Sequence, residues 1–489
     1  MEVKIDEARR EFNAIIEYVV KAALGREIHE VEEGIYRRLL GLGRILLELF
    51  LMATGTGNVG KSLSDEDGVV FRYLRDAPWK YLSIFGEIVI LRAYYGREGS
   101  QGRFPLDAIL NLPERSYSYV LQKWMCREGI EATFEKAAKW VRDYLGLNVH
   151  HRAVQRVNLD CAQPAEEFAE SLVPPPVEEE GPILIHSADC KGIRMCIKDR
   201  NPDLPRSEDK PGEKRMACIS RNYSTDPHFC NPEVIVDSLI KARKAKAMKD
   251  KDPKRPKPCH RRTIVSLLKK KSEIFEQSER ASTTRIHSGT QEKAVLMDGE
   301  KALWKLSATH FAGWTEIIDF YHVMEKIWIA ASLHHPKGGQ EAEDYVRERA
   351  LLLLEGDVNL VIEDFQWALE DGTLSEADAV TLKSKVVGYF LNNSNRMAYD
   401  QYLAKGLPIA TGIIESTCNS LVKVRMEGPG MFWSPDGAEA MLRLRAIYID
   451  DLWDDFWTFR AKREKKRLYA HYLHIADNWI QNQEEKFAA

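Results

Sequence analysis

A chain of 489 residues, 44% hydrophobic and 29% charged, is long enough for two to four globular domains with a full core. Seventy Lys and Arg offset 74 Asp and Glu, a formal net charge of −4, so overall charge draws no nucleic acid to it and local clusters would have to. Eight cysteines without one CxxC pair exclude a zinc ribbon and leave reduced thiols as the default.

The opening EVKIDEARREF lacks the apolar core of a secretory signal, and the longest apolar run, 45–53, is interrupted by Glu48 and too short to span a bilayer. A cytoplasmic, nucleoid-associated protein is the expectation. Residues 1–60 read as a helical region with two apolar stripes. Phe12, Ile15, Ile16, Val19 and Val20 mark one; Leu39, Leu42, Ile45, Leu46 and Leu49 mark the other. Such stripes pack internally or against a partner protomer. GTGNVGKS (55–62) matches a phosphate-loop pattern in its letters. That loop works between a strand and a helix, whereas the flanks here read helical before and extended after, so no nucleotide cofactor is expected.

Residues 61–161 read as a DNA-binding region. Strands are expected around Gly86 within 79–95, and short elements between Pro105 and Pro113. From Ile130 to Leu159 the pattern is helix, Gly146 turn, helix. As a helix-turn-helix, the second helix would offer Arg152, Gln155 and Arg156 to a groove; as an ordinary hairpin, those bases are solvated. A Pro- and Glu-rich stretch, 162–181, reads as a linker.

Residues 182–335 begin with GPILIHSADCKGIRMCI, expected as a strand ending near Asp189, a turn through Lys191 and Gly192, and a return strand. Residues 214–224 follow as a strand and 231–240 as a helix capped by Asn231. The stretch 241–271 holds fourteen Lys or Arg against two Asp. It reads as a basic loop in which Lys254, Arg255, Lys257, Arg261 and Arg262 contact phosphate. In AVLMDGEKALW a buried strand ends at Asp298 and a helix follows Gly299. At 315–335 a short strand turns helical, with Asp319 and His322 as a D-x-x-H pair at the junction, suited to orient neighbouring carboxylates.

Residues 336–405 read as an all-helical insertion. Residues 406–450 resume the core with a helix carrying Glu415, whose face also presents Asn419 and Lys423 at successive steps of four. Lys423 and Arg425 would steady phosphate there or be plain surface bases. Residues 451–489 form a basic helical tail. Two strand-end aspartates, Asp189 and Asp298, and the helix glutamate Glu415 are the parts needed to bind two divalent ions in phosphodiester chemistry.

Several stretches in order resemble the insertion-sequence DDE transposases of the ISKra type. They are YLSIFGEIVILRAYYG with FPLDAILNLP, ILIHSADCKGIRM, KRMACISRNYSTDP, AVLMDGEKALW, IIDFYHVMEKIWIAA, and GIIESTCNSLVKVRMEGPGMFW with GAEAMLRLRA. The resemblance runs from about residue 80 to 450. It implies an α+β multidomain protein: an RNase H-like core of mixed sheet flanked by helices, interrupted by the helical insertion, with a mainly helical N-terminal DNA-binding region. It further implies Asp189, Asp298 and Glu415 as catalytic and metal-binding residues, with Asp319, His322 and Asn419 behind them. Two Mg²⁺ or Mn²⁺ ions would be the cofactors. Double-stranded DNA, as terminal inverted repeats and target, would be the partner of a homodimer or higher homo-oligomer. An RNase H-like nuclease or resolvase, or a domesticated DNA-binding copy, are the alternatives. Two departures stand out: Cys190 replaces the Gly of an Asp-Gly-Lys-Gly pattern, and GREGSQG replaces the cysteine pairs that some relatives carry.

Overall fold

A computed structural model describes residues 1–200, 213–241, 255–336 and 338–479. The fold is α+β. The chain divides into two compact units: Met1–Glu170 together with the chain from Leu452, and Ser171–Asp451. No helix among the described residues is long and apolar enough to cross a membrane.

The first unit opens with helices Glu2–Ala22 and Ile28–Thr54 packed as a hairpin. Three antiparallel strands follow in the order β1 (Ser62–Ser64), β2 (Val70–Ser83) and β3 (Gly86–Gly96). Gly86, at φ 125°, closes the β2–β3 turn in a conformation that disfavours a side chain. GTGNVGKS runs from the end of a helix into β1, the reverse of a phosphate loop's order. Helices Tyr119–Glu131, Phe134–Leu145 and His151–Ala162 then pack pairwise on one another. Ser118 and Thr133 cap the first two by accepting from the amides of Leu121 and Lys136, and Gly146 ends the second in the left-handed region.

Two boundaries differ from the sequence reading. Within the expected linker, Ala165–Ser171 is a helix whose Phe168 is buried against Phe456 and Phe459. The expected tail is no appendage either. Its helix Trp453–Tyr469 belongs to the first unit, and Tyr469 and Tyr472 share a core with Phe71 and Tyr95.

The second unit is built on a five-stranded sheet. Its strands are β4 (Ile183–Arg194), β5 (Lys214–Thr225), β6 (Cys259–Ser266), β7 (Glu292–Met297) and β8 (Thr315–Ile318), in the order β6-β5-β4-β7-β8. β6, β5 and β4 run antiparallel; β7 and β8 lie parallel to β4. The run buried from Ile183 to Ala188 makes β4 the central strand.

Three readings are corrected here. Residues 183–197 are not a hairpin: β4 continues unbroken through Gly192, because β5 pairs with it from Ile183 to Arg194. The stretch 241–271 is not one loop. Of its residues, 242–254, including Lys254, lie outside the described residues, while Cys259–Ser266 is the edge strand β6 and Lys271 opens the helix Lys271–Thr283. The helical insertion is helical throughout its described length but is not a separate domain. Its Val346, Leu353, Phe365, Phe390 and Tyr399 belong to the same hydrophobic core as Val295, Leu296 and Ile317 of the sheet. Tyr399 and Tyr402 donate to the carbonyls of Ile318 and Glu316, both at 2.9 Å, and so protect the open edge of β8.

Candidate active site

Three aspartates lie at one level of three neighbouring parallel strands: Asp189 within β4, Asp298 just past the end of β7 and Asp319 just past the end of β8. The register that pairs Ile183 with Glu292 and His186 with Val295, carried three residues on, sets Asp189 beside Asp298. The register that pairs Met297 with Ile318, carried one residue on, sets Asp298 beside Asp319, whose amide donates to the Met297 carbonyl at 2.9 Å. Neighbouring strands lie about 4.8 Å apart. Residues separated by more than a hundred positions in the chain therefore meet in one acidic row.

Each carboxyl group is differently held. Asp189 Oδ1 accepts the amide of Cys190 at 2.6 Å, and Oδ2 accepts the thiol of Cys418 at 3.3 Å. Cys418 lies on the helix Gly412–Cys418 that carries Glu415, so this contact ties β4 to that helix. Burial, with the Asp189 charge adding to it, pushes the Cys418 thiol up. Asp298 Oδ1 accepts the Glu300 amide at 3.0 Å, closing the turn at Gly299, and Trp304 Nε1 donates to the Asp298 carbonyl at 2.6 Å. Burial raises the Asp298 carboxyl; the Glu300 amide opposes this, and the negative charge of Asp189 adds to it.

Asp319 is fully buried and its oxygens are engaged. Oδ1 accepts the Thr411 amide at 2.8 Å; Oδ2 accepts the His322 amide at 3.2 Å and contacts His322 Nδ1 at 2.5 Å. That hydrogen bond holds the His322 ring cationic, with a pKa raised to about 9. Thr411 in turn donates from its hydroxyl to Glu415 Oε1 at 3.1 Å. Asp319 thus caps the helix Phe320–His334 and braces the start of the Glu415 helix across the base of the insertion. Ligand-capable atoms of Asp319, His322 and Glu415 lie within 4.8 Å of one another. Asp319 accepts from three donors and is buried, whereas Glu415 is exposed.

The Glu415 helix continues into a wider-wound segment, Asn419–Lys423. Asn419 and Lys423 are exposed, but the extra winding breaks the steps-of-four face expected for them. Arg445, from the helix Pro435–Ile449, donates to the Leu421 carbonyl at 3.0 Å and also to that of Ser420, satisfying groups of this segment. Arg221 on β5 donates to Thr417 at 2.8 Å and to Thr263 at 3.0 Å. It is buried with Asp450, 3.6 Å away.

The basic candidates scatter. Arg152, Gln155 and Arg156 lie exposed on one face of their helix, with Val154, Val157 and Asn158 buried on the other. Arg255 and Lys257 are exposed. Arg261 pairs with Asp451 at 2.5 Å. Burial lowers the Arg262 guanidinium, against the pull of Asp450. Arg425 is 3% exposed, its guanidinium 5.1 Å from the Trp433 ring centre. Arg425 is thus buried rather than a surface base, Arg262 is partly buried, and Arg261 sits in a surface ion pair.

Sequence reasoning missed Thr411, Cys418 and Tyr389. Tyr389, from the insertion, packs so close to Gly299 that a Cβ there would sit 2.6 Å from its ring. Its buried hydroxyl has no hydrogen-bond partner, and the charges of Asp319 and Asp298 reach it. No motif surrounds Tyr389; only the Gly after Asp298 hinted at a close neighbour.

Among the described residues, the group whose donor atoms converge is Asp319, His322 and Glu415 rather than Asp189, Asp298 and Glu415. Asp189 and Asp298 are a neighbouring pair of hard carboxylates, the latter raised by burial and by the charge of the former, and a divalent cation would relieve that like-charge pair. No family model matches the chain, and no curated protein matches it. Among solved structures, the chain is similar to the Drosophila P element transposase strand transfer complex. The match has 11% identity and a TM-score of 0.25, covering 71% of this chain and 82% of that one. A likeness of that size carries neither fold nor activity.

Proposed function

We propose that this chain is a DDE-type DNA transposase that binds the ends of its element and catalyses strand cleavage and strand transfer, with Asp189, Asp298 and Glu415 as its catalytic carboxylates. The observation that carries the reading is the acidic row: Asp189 and Asp298 at register-matched positions of neighbouring strands, tied through Cys418, Asp319 and Thr411 to the helix of Glu415. The mixed five-stranded sheet flanked by helices supports an RNase H-like core, and the sequence resemblance supports DNA ends as substrate.

Asp189, Asp298 and Glu415 would hold two Mg²⁺ or Mn²⁺ ions. When bound, such a pair supplies activation of the attacking water or 3′-hydroxyl and stabilisation of the leaving 3′-oxygen in an in-line displacement. The chain's own part is positional. Asp298 is held by the Glu300 amide, Asp189 by the Cys190 amide, and Glu415 by the Thr411 hydroxyl, which limits the freedom of each carboxylate. Arg152, Gln155 and Arg156 present the face we assign to base reading, while Arg255, Lys257 and Lys423 are the exposed phosphate contacts.

The test uses duplex DNA carrying the sequences that flank the element's own reading frame. Asp189→Asn, Asp298→Asn and Glu415→Gln should each reduce Mg²⁺-dependent cutting to background while retarding DNA in a gel as the parent does. Near-parental cutting by any one removes that residue from the site. Cutting by the parent without joining of the cut end to target DNA would assign a nuclease instead.

A further inference from the structure

We propose that Cys190 and Cys218 are a redox-responsive thiol pair that closes to a disulfide across β4 and β5 under a peroxide-class oxidant. The β4–β5 register sets Cys190 directly opposite Cys218. Directly opposed residues of antiparallel strands have Cα atoms about 4.5 or 5.5 Å apart. Both spacings fall inside the roughly 4.4–6.8 Å that a disulfide spans. Directly opposed residues of paired antiparallel strands point to the same face, so the two thiols leave the sheet side by side.

Access is graded in the order the chemistry needs. Cys190 is half-buried and reaches solvent, whereas Cys218 is 2% exposed behind it. The Lys271 ammonium, paired with Glu300, places its positive charge near Cys190, where it would favour an oxygen carried on that sulfur. Peroxide would accept two electrons from the Cys190 sulfur, forming an S–O bond as its O–O bond breaks and one water leaves. The Cys218 sulfur would then attack Cys190, forming the S–S bond and releasing the oxygen as a second water, with both thiol protons ending in water. A thiol reductant reverses the step. The link would staple the strand that carries Asp189, whose carboxylate accepts the Cys190 amide. A second pair of cysteines supplies the control: Cys126 and Cys161 are both fully buried, their thiols donating to the Val157 carbonyl at 3.8 Å and to Gln122 Oε1 at 3.7 Å.

The experiment treats the folded, full-length chain with a small excess of hydrogen peroxide and no added metal. Remaining thiols are blocked with iodoacetamide, and the digest is read by mass spectrometry. The expected product is a Cys190–Cys218 peptide pair lighter by two hydrogens and lost on treatment with dithiothreitol, with Cys126 and Cys161 unlinked. Cys218→Ser should lose the link and leave Cys190 reactive towards dimedone; Cys190→Ser should lose the link and leave Cys218 reduced. Absence of the link in parent protein with an intact circular dichroism spectrum overturns the proposal. So does a link that appears only together with a Cys126–Cys161 link. No outcome depends on DNA cutting, so the pair and the proposed activity stand or fall separately.

Discussion

The two sides of the five-stranded sheet treat charge in opposite ways. On the parallel side, Asp189, Asp298 and Asp319 are scattered through the chain yet brought to one level by strand register. On the antiparallel side, Arg261 and Arg262 are neighbours in a dense basic run yet are tied down against Asp451 and Asp450. Clustering in sequence and clustering in space are therefore different signals. The spatial cluster of like charge, which costs free energy unless a cation or substrate relieves it, is the one that points to chemistry.

The comparison breaks first at Arg221. If the antiparallel side is structural, Arg221→Met should destabilise the second unit by about 3 kcal/mol, because it removes the buried cation facing Asp450 and leaves that carboxylate to the Thr263 amide and hydroxyl. Urea denaturation reads this, and Asp450→Asn added to it should recover part of the loss. A change below about 1 kcal/mol would mean that the pair holds little.

The next effect is on the parallel side. Asp319→Asn removes the charge that faces His322 and weakens the brace on Thr411, so cutting should fall about 10–100-fold while stability changes less. A fall to the background of Asp298→Asn would make Asp319 a ligand rather than a brace. The smallest effect is on DNA binding. Replacing exposed Arg255 and Lys257 with Gln should flatten the slope of log affinity against log salt by about 0.9 for each phosphate no longer neutralised. Replacing Arg261 should leave the slope alone, since it is already paired with Asp451.

Sequence alone shows these regions unevenly, for physical reasons. The strand ending at Asp298 is legible because Val295, Leu296 and Met297 precede a Gly, and the structure buries all three. The turn expected at Gly192 fails because β5 pairs with β4 on through Arg194, holding the glycine in the strand. A Cβ there would meet Lys214 at 2.9 Å and Met216 at 3.3 Å across the strand pair. β6 hides because its arginines read as solvated charge, and only the distant Asp450 and Asp451 explain their place in a strand. The insertion's helices follow from their periodicity. That its Tyr389 reaches Gly299, or that its core is the sheet's core, depends on contacts no local pattern encodes. The row itself is half legible: strand ends can be guessed one at a time, but their common level comes from pairing register, which no single segment carries.

The central claim is that Asp189, Asp298 and Glu415 hold divalent metal together, and iron-directed backbone cutting tests it most directly. Fe²⁺ would be added to the full-length chain in place of Mg²⁺, with ascorbate and peroxide generating short-lived radicals at the bound ion, and the cut sites mapped by mass spectrometry. The account predicts cuts clustered near residues 189, 298 and 415 at once, suppressed by excess Mg²⁺ and lost in Asp298→Asn. Cuts confined to one of these segments, or unchanged in Asp298→Asn, would contradict it.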